Sequence, residues 1–458
     1  DLAYLGSRII KVLGQKALNR LSPFGIVDMK TEMVMDREVI RYDIVGRTVL
    51  DMLELYKKFR FINRPSYKLS YVGQVEIGDT KLENPYKSFK EHYNVGWDDP
   101  TNGFVSYNIQ DVKLLVKLEE KLGLIYLAVV LAYLTKINFD DVYSPVKMWE
   151  SHILSTLMEE NVFCELKTGH KADHQIVGGY VKEPVPGMYK WNVTFDATSL
   201  YPSIIMSLNM SPETIVDVDD SITVDGLLAS ASHNCSDYAI AANGARFMRD
   251  KQGVMPRLTE SMFAKRKSAK NEMLRLKREY EQTHNTVTKT ESARFGVLQL
   301  AVKVVLNCLF GCTSSPYFLF FDNRIAEGIT MTGQYIVQKV QRDASDYMGN
   351  VLKMPGHDFI SYSDTDSLGL CLDLLVKKSP KKMSDSETAD YIIKFIDLYM
   401  SKTLDKSTDE IGQVLNMFQN KITFKTEGIS SAMIILAKKR NCQKVIDNEV
   451  VLLIDEGE

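Results

Sequence analysis

Three constellations in this sequence could carry phosphoryl-transfer chemistry. The first is Val193-Thr194-Phe195-Asp196-Ala197-Thr198-Ser199-Leu200-Tyr201-Pro202, an apolar run that ends at a carboxylate and turns into the helix-like Ser203-Ile204-Ile205. A carboxylate at a strand end, followed by free backbone N–H groups, can hold a divalent ion and the phosphates it bridges. Its plainer role would be to cap the next helix. The second is Tyr362-Ser363-Asp364-Thr365-Asp366-Ser367, which predicts a tight hairpin turn presenting two carboxylates. Paired carboxylates are costly unless a cation neutralises them, and two Mg²⁺ ions would suit phosphoryl transfer, although a solvated Asp-rich turn reads the same way. The third is a pair of i,i+4 spacings, Arg266 with Lys270 and Lys303 with Asn307, each placing its two side chains on one helix face. Such a face could hold a triphosphate, with Lys303 placed to protonate a leaving pyrophosphate, or be only a solvated basic surface.

The elements that must position these groups follow from periodicity. Helical stretches are expected at Asp1–Leu18, Val49–Phe59 and Val112–Ile137, the last broken near Gly123, and a strand at Arg37–Asp43, as in an α/β domain. Gly178, Gly179, Pro184 and Pro186 mark a loop and a domain boundary before a strand at Lys190–Phe195. After a hairpin at Ala245–Met255, Pro256 opens a long polar helix to about Gln282, at a position where a missing N–H costs nothing. A turn at His284-Asn285-Thr286 leads to a second helix, Thr290–Phe310, ending at Gly311. A helix at Ile325–Met348, β-runs at Asp358–Tyr362 and Ser367–Asp373, a helix at Ser386–Met400 and a strand at Ile422–Lys425 complete the reading.

Composition bounds the class. The chain has 458 residues, with 56 Lys+Arg against 59 Asp+Glu, 45% hydrophobic and 25% charged residues. That excludes a disordered chain, a coiled coil and a collagen-like repeat, and predicts two to four domains at roughly 100–200 residues each. Six cysteines without CxxC spacing suggest neither a disulfide framework nor a zinc ribbon, so a reducing interior is expected. The longest uncharged apolar stretch, Leu122–Thr135, is too short to cross a bilayer, so no membrane role is expected.

The three constellations in this order, with Lys438-Lys439-Arg440 downstream, resemble the B-family DNA polymerases, and more closely the replicative enzymes of T-even-like phages. Val142-Tyr143-Ser144-Pro145-Val146-Lys147-Met148-Trp149, Gly178-Gly179-Tyr180-Val181-Lys182-Glu183-Pro184 and Leu208-Asn209-Met210-Ser211-Pro212-Glu213-Thr214-Ile215 look like that phage group. The resemblance implies a fold that is α/β (α+β), a right-hand polymerase palm with helical fingers and a partial RNase H-like exonuclease domain. Its divisions would be 1–122, partial 3′–5′ exonuclease; 123–167, helical connector; 168–255, first part of the palm; 256–313, fingers; and 314–458, second part of the palm. It implies Asp196, Asp364 and Asp366 as the metal-binding carboxylates of the palm. Ser199, Leu200 and Tyr201 would border the nucleotide, Tyr201 rejecting a 2′-OH. Arg266, Lys270, Lys303 and Asn307 would meet the triphosphate, Glu427 would lie near the primer end, and Lys438, Lys439 and Arg440 would grip the primer. The reaction would be in-line attack of a primer 3′-OH on a dNTP α-phosphate with two Mg²⁺ ions. Primer–template DNA and dNTPs would be the partners, with a sliding clamp and other replisome proteins in the full enzyme, in the cytoplasm of an infected bacterial host.

Ser106-Tyr107-Asn108-Ile109-Gln110-Asp111 is similar to the family's third exonuclease motif, Tyr107 orienting a water and Asp111 binding a metal. Asp1 is similar to a ligand of the second motif. The first motif would lie before residue 1 and the thumb beyond residue 458. The chain is therefore expected to lack proofreading alone and to be a partial record or one piece of a split polymerase, a second chain then supplying the thumb; a DNA-binding subunit inactive alone is the alternative function. Phe310 stands where the family has Tyr, Asn441 where it has an aromatic, and the fingers are short. Among the remaining signals, His170 and His174 near Cys164 have weak zinc spacing, and Lys377–Lys382 reads as a solvated loop. Phe59, Phe61 and Tyr67 near Arg60 and Arg64 could stack on single-stranded DNA or be core.

Overall fold

The structure, a computed structural model, describes residues 2–34, 37–60, 62–97, 99, 103–164, 176–229, 237–379, 383–446 and 453–455. The chain divides into two compact units, Asp1–Met148 and Trp149–Glu458, a division that falls inside the stretch expected as a connector.

In the first unit, α1 (Leu2–Leu13) and α2 (Gln15–Asn19) are separated by Gly14, whose φ of 80° suits a residue without Cβ. Strands β1 (Val27–Val34) and β2 (Arg37–Ile44) form an antiparallel hairpin with Val27 opposite Ile44. Leu18, Val27, Tyr42 and Ile44 make its core, covered by Leu2, Ile9, Ile10 and Leu21. Helices α3 (Met52–Phe59), α4 (Leu69–Ile77), α5 (Phe89–Val95), α6 (Phe104–Leu122) and α7 (Leu124–Thr135) follow. The Asp51 carboxylate caps α3 by accepting from the N–H groups of Leu53 and Glu54, and Gly123 at φ 62° makes the expected break between α6 and α7. The stacking surface is corrected here. Phe59 is buried, Tyr67 packs edge-on against Tyr56, and Arg60 and Arg64 both donate to the buried Glu76 carboxylate. Phe59 is core, and the partly buried arginines neutralise a buried acid; Phe61 lies outside the described residues.

The boundary between units falls within α8 (Pro145–Glu159). The second unit is built on a six-stranded, wholly antiparallel sheet in the order β11-β10-β9-β3-β8-β7. Its strands are β3 (Gly187–Ala197), β7 (Ile360–Asp364), β8 (Ser367–Cys371), β9 (Phe424–Ala437), β10 (Arg440–Val445) and β11 (Leu453–Asp455). Helix α9 (Leu200–Ser207) follows β3 directly. A smaller sheet, β4 (Ile215–Val218), β6 (Ala245–Met248) and β5 (Tyr238–Ile240), comes next, with α10 (Val224–Ala229) between its strands. Its hairpin is therefore Tyr238–Met248, earlier than the expected Ala245–Met255, because residues from Val254 onward already belong to the next helix.

That helix, α11 (Val254–Thr283), pairs with α12 (Thr286–Thr313) as the expected helical hairpin, with the Asn285 side chain capping α12. Helix α12 does not stop at Gly311. It continues two residues further, since glycine inside a helix costs only about 1 kcal/mol and the buried Leu309, Cys312 and Thr313 repay it. By length and composition α12 is apolar enough to cross a membrane, which corrects the expectation that no stretch is. Ala301, Val302, Val305, Leu306 and Leu309 are buried within this unit, and the indole N–H of buried Trp149 donates to the Val305 carbonyl at 2.8 Å, so the apolar face serves the core. Helices α13 (Asn323–Leu352), α14 (Asp373–Lys377), α15 (Asp385–Phe395) and α16 (Ser401–Val414) complete the unit. The expected Ser386–Met400 helix is thus the first part of a longer run. Cys164, Cys312, Cys371 and Cys442 are free thiols.

Candidate active site

Strand β3, inside the sheet, carries Asp196 next to its C-terminal end. Its neighbours on that strand, Val193 and Phe195, are buried, while Asp196 sits opposite Ser367 on β8 and Lys425 on β9. The β7–β8 turn consists of Thr365 and Asp366, with Thr365 at φ 53°. Three main-chain bonds fix it: Asp366 N–H donates to the Asp364 carbonyl at 2.6 Å, Ala197 N–H to the Asp366 carbonyl at 2.8 Å, and Thr365 N–H to the Tyr180 carbonyl at 2.9 Å. The second of these ties the turn to the end of β3. Carboxylates far apart in the chain are thereby set side by side.

Glu427 joins them through a β-bulge. Thr194 pairs with Gly428 and Phe195 with Thr426, leaving Glu427 as the extra residue, which is how a bulge re-aims a side chain. Burial, then Asp366 and Glu427, push the Asp196 carboxyl up from 3.8 to about 7. Burial likewise raises Asp366, assisted by Asp364 and Glu427. A cationic group close to these acids is Lys439, whose Nζ is 3.6 Å from Asp364 Oδ1. Among the described residues no three acidic, histidine or cysteine side chains already converge on one point. The donor set nonetheless fits a hard divalent cation, because half-buried carboxylates pushed towards protonation are stabilised by added positive charge.

A pH dependence follows. Between 3.8 and about 7 the folded chain binds more protons at Asp196 than the unfolded chain does, so this group's contribution to stability falls as pH rises. The melting temperature of metal-free wild type relative to Asp196→Asn should fall between pH 5 and 8, and Mg²⁺ at pH 8 should restore it. A difference that is flat with pH contradicts a carboxyl raised by burial and neighbouring charge.

Two cavities flank the turn. One, of about 270 Å³, is lined by Ser199, Leu200, Tyr201, Asn307, Phe310 and Asp366, among others. The Tyr201 and Phe310 rings lie 4.7 Å apart with their planes tilted by 49°. The other, of about 300 Å³, lies between Asp364, Glu427 and the β9–β10 hairpin, whose two-residue loop is Lys438-Lys439. Lys438 pairs with Glu183 at 2.8 Å, while Arg440 opens β10 outside this lining. Arg266 is half-buried on α11, with its buried Nε lacking a hydrogen-bond partner among the described residues. Burial alone lowers its guanidinium from the usual arginine value. Lys270 and Lys303 are exposed on α11 and α12, and with Arg266 they lie outside the linings of both cavities.

Residues 142–450 match DNA polymerase family B, more than half of the chain. The chain belongs to that family. Residues 1–72 of this family B chain match the family's exonuclease domain. It is 29% identical over 94% of its length to the DNA-directed DNA polymerase of Escherichia phage RB69, covering 52% of that protein. The corresponding enzyme of Enterobacteria phage T4 is 28% identical over 94% of the chain and 52% of its own length. The DNA polymerase delta catalytic subunit of Candida albicans is 25% identical over 86% of the chain and 37% of its own length. The chain thus spans about half the length of the phage relatives it matches.

Tyr107 and Asp111 do share a face of α6, and the structure adds a group that spacing alone did not reveal. Lys81 Nζ donates to Asp111 Oδ2 at 2.7 Å and lies 3.5 Å from the Tyr107 hydroxyl. Asp1, His170 and His174 lie outside the described residues. Within the second unit the reading also missed the strand-like contact of Gly178–Lys182 along β7, where Lys182 N–H donates to the Ser363 carbonyl at 3.1 Å. Its glycine pair and Tyr180 are legible only as a motif, since the partner strand is distant in the chain.

Proposed function

We propose that this chain catalyses template-directed addition of dNTPs to a primer 3′-OH, in viral DNA replication within an infected bacterial cell. The observation that carries the reading is the placing of Asp196 beside Asp366, with the Tyr201, Asn307 and Phe310 cavity on one side and the Lys438-Lys439 loop on the other. In this reading the six-stranded sheet is the palm, 168–255 and 314–458, and α11–α12 are the fingers, 256–313. Asp196, Asp366 and Asp364 hold two Mg²⁺ ions, which when bound supply Lewis acidity at the α-phosphate. Asp196 and Asp366, held by strand pairing and a hydrogen-bonded turn, keep their geometry without reorganisation. Arg266, Lys270 and Lys303 attract the triphosphate, Lys303 gives a proton to the departing pyrophosphate, and Tyr201 excludes a 2′-OH beside Ser199, Leu200 and Asn307. Glu427 faces the primer terminus.

The test is lengthening of a labelled primer on a template by the purified chain, with Mg²⁺ and with chelator. No lengthening by a chain that melts cooperatively overturns the reading.

Lys438, Lys439 and Arg440 act as backbone contacts for the primer. The ion pairs Lys438 and Lys439 make now are exposed and cheap to exchange for phosphate. Replacing all three with Ala should make the slope of log K against log salt shallower by about 2 to 3. An unaltered slope removes them from the phosphate-binding set.

A further inference from the structure

Tyr201 is packed against two glycines whose missing side chains decide how far its ring stands into the cavity. Gly333 lies inside the long helix α13, with no unusual backbone angle to require glycine, at a position where alanine would be the better helix former. A packing reason is visible instead. A Cβ on Gly333 would lie 3.2 Å from Tyr201 Cε1, closer than ordinary carbon contact, and 3.5 Å from Leu200 Cδ2. On another side a Cβ on Gly179 would lie 3.1 Å from the Tyr201 hydroxyl and 2.9 Å from Thr365 Cγ2. The two walls are joined, because Gln334 Nε2 donates to the Gly178 carbonyl at 2.6 Å, and Phe310 forms a third. The ring also lines the cavity that Tyr201 shares with Asp366 and Asn307.

We infer that Gly333, with Gly179, is a positioning residue for sugar recognition: its lack of a side chain sets the depth of the Tyr201 ring and so the space left for a 2′-deoxyribose nucleotide. This rests on the reading of Tyr201 given under the proposed function. A methyl group at 333 makes the ring give by a few tenths of an ångström, and because the ring lines the cavity, a shift of the ring changes the space there. The cost then falls on nucleotide binding, with little on the carboxylates, which are held by separate main-chain bonds.

The test is a double-mutant cycle on single-nucleotide addition. Gly333→Ala should raise the dNTP KM about 5- to 10-fold with kcat within about 2-fold. The same substitution in a Tyr201→Ala background should change KM less than about 2-fold, because no ring is left to displace. Equal KM increases in both backgrounds, or a loss confined to kcat, overturn the inference while leaving the polymerase reading intact. Should Gly333→Ala melt below wild type, recovery of the melt in the Gly333→Ala/Tyr201→Ala variant supports the inference, and failure to recover overturns it. Wild type that neither extends primer nor binds dNTP overturns the proposed function and this inference together.

Discussion

Asp366→Ala should lower the rate of nucleotide addition about a thousandfold or more, equivalent to about 4 kcal/mol of transition-state stabilisation, in a chain that still folds. The size follows from the geometry. Asp366 is a half-buried carboxylate set beside Asp196, with Asp364 and Glu427 adding further negative charge. In the proposed reading, removing it takes away one of the three carboxylates that would hold the metal ions. The fold is spared because Asp366 acts in the turn through its main chain, donating to the Asp364 carbonyl and accepting from Ala197 N–H, and alanine keeps both bonds. Relief of repulsion should leave the metal-free variant at least as stable as wild type. Single-turnover rates beside thermal melts separate these effects. A rate within tenfold of wild type would remove Asp366 from the catalytic set.

The second large effect concerns the sugar. Tyr201→Ala should raise ribonucleotide incorporation relative to deoxyribonucleotide about a hundredfold, while dNTP addition stays within about tenfold of wild type. Tyr201 follows the strand end that carries Asp196, at the start of α9, and its ring packs on Phe310 and lines a cavity with Phe310 and Asp366. Shortening the side chain to a methyl opens space in the cavity where the proposed reading puts the nucleotide. Burial, with Asp366 and Asp364, holds the phenol above its usual value of 10, so at neutral pH its role is steric and not ionic. The measurement is kcat/KM for matched rNTP and dNTP pairs. Unchanged discrimination would sink the assignment.

How far the site was legible depends on where its signals lie in the chain. Asp196 at a strand end, the Asp364–Asp366 turn and the helical hairpin are each local patterns, readable from alternation, turn residues and i,i+4 spacing. Their assembly is not local. Nothing in the stretch around Asp196 says that β3 lies between β8 and β9, or that Glu427 occupies a bulge, because strand pairing between distant segments leaves no mark in either. Gly311 misled for the opposite reason, a local stop signal overridden by tertiary burial of the next turn. Phe59 and Arg64 read equally well as surface or core, and only the fold shows Phe59 buried and Arg64 partly buried on the Glu76 carboxylate. Lys81 became visible as a partner of Asp111 once α6 was placed in space.

The central claim is that these carboxylates and this cavity select and add the nucleotide a template specifies. The most direct measurement is single-turnover addition by the purified chain in Mg²⁺, with each of the four dNTPs supplied alone opposite each of the four template bases. The account predicts one product per template base, always the complementary nucleotide, in wild type. Addition independent of the template base, or none from a cooperatively folded chain that binds the primer–template, would contradict it.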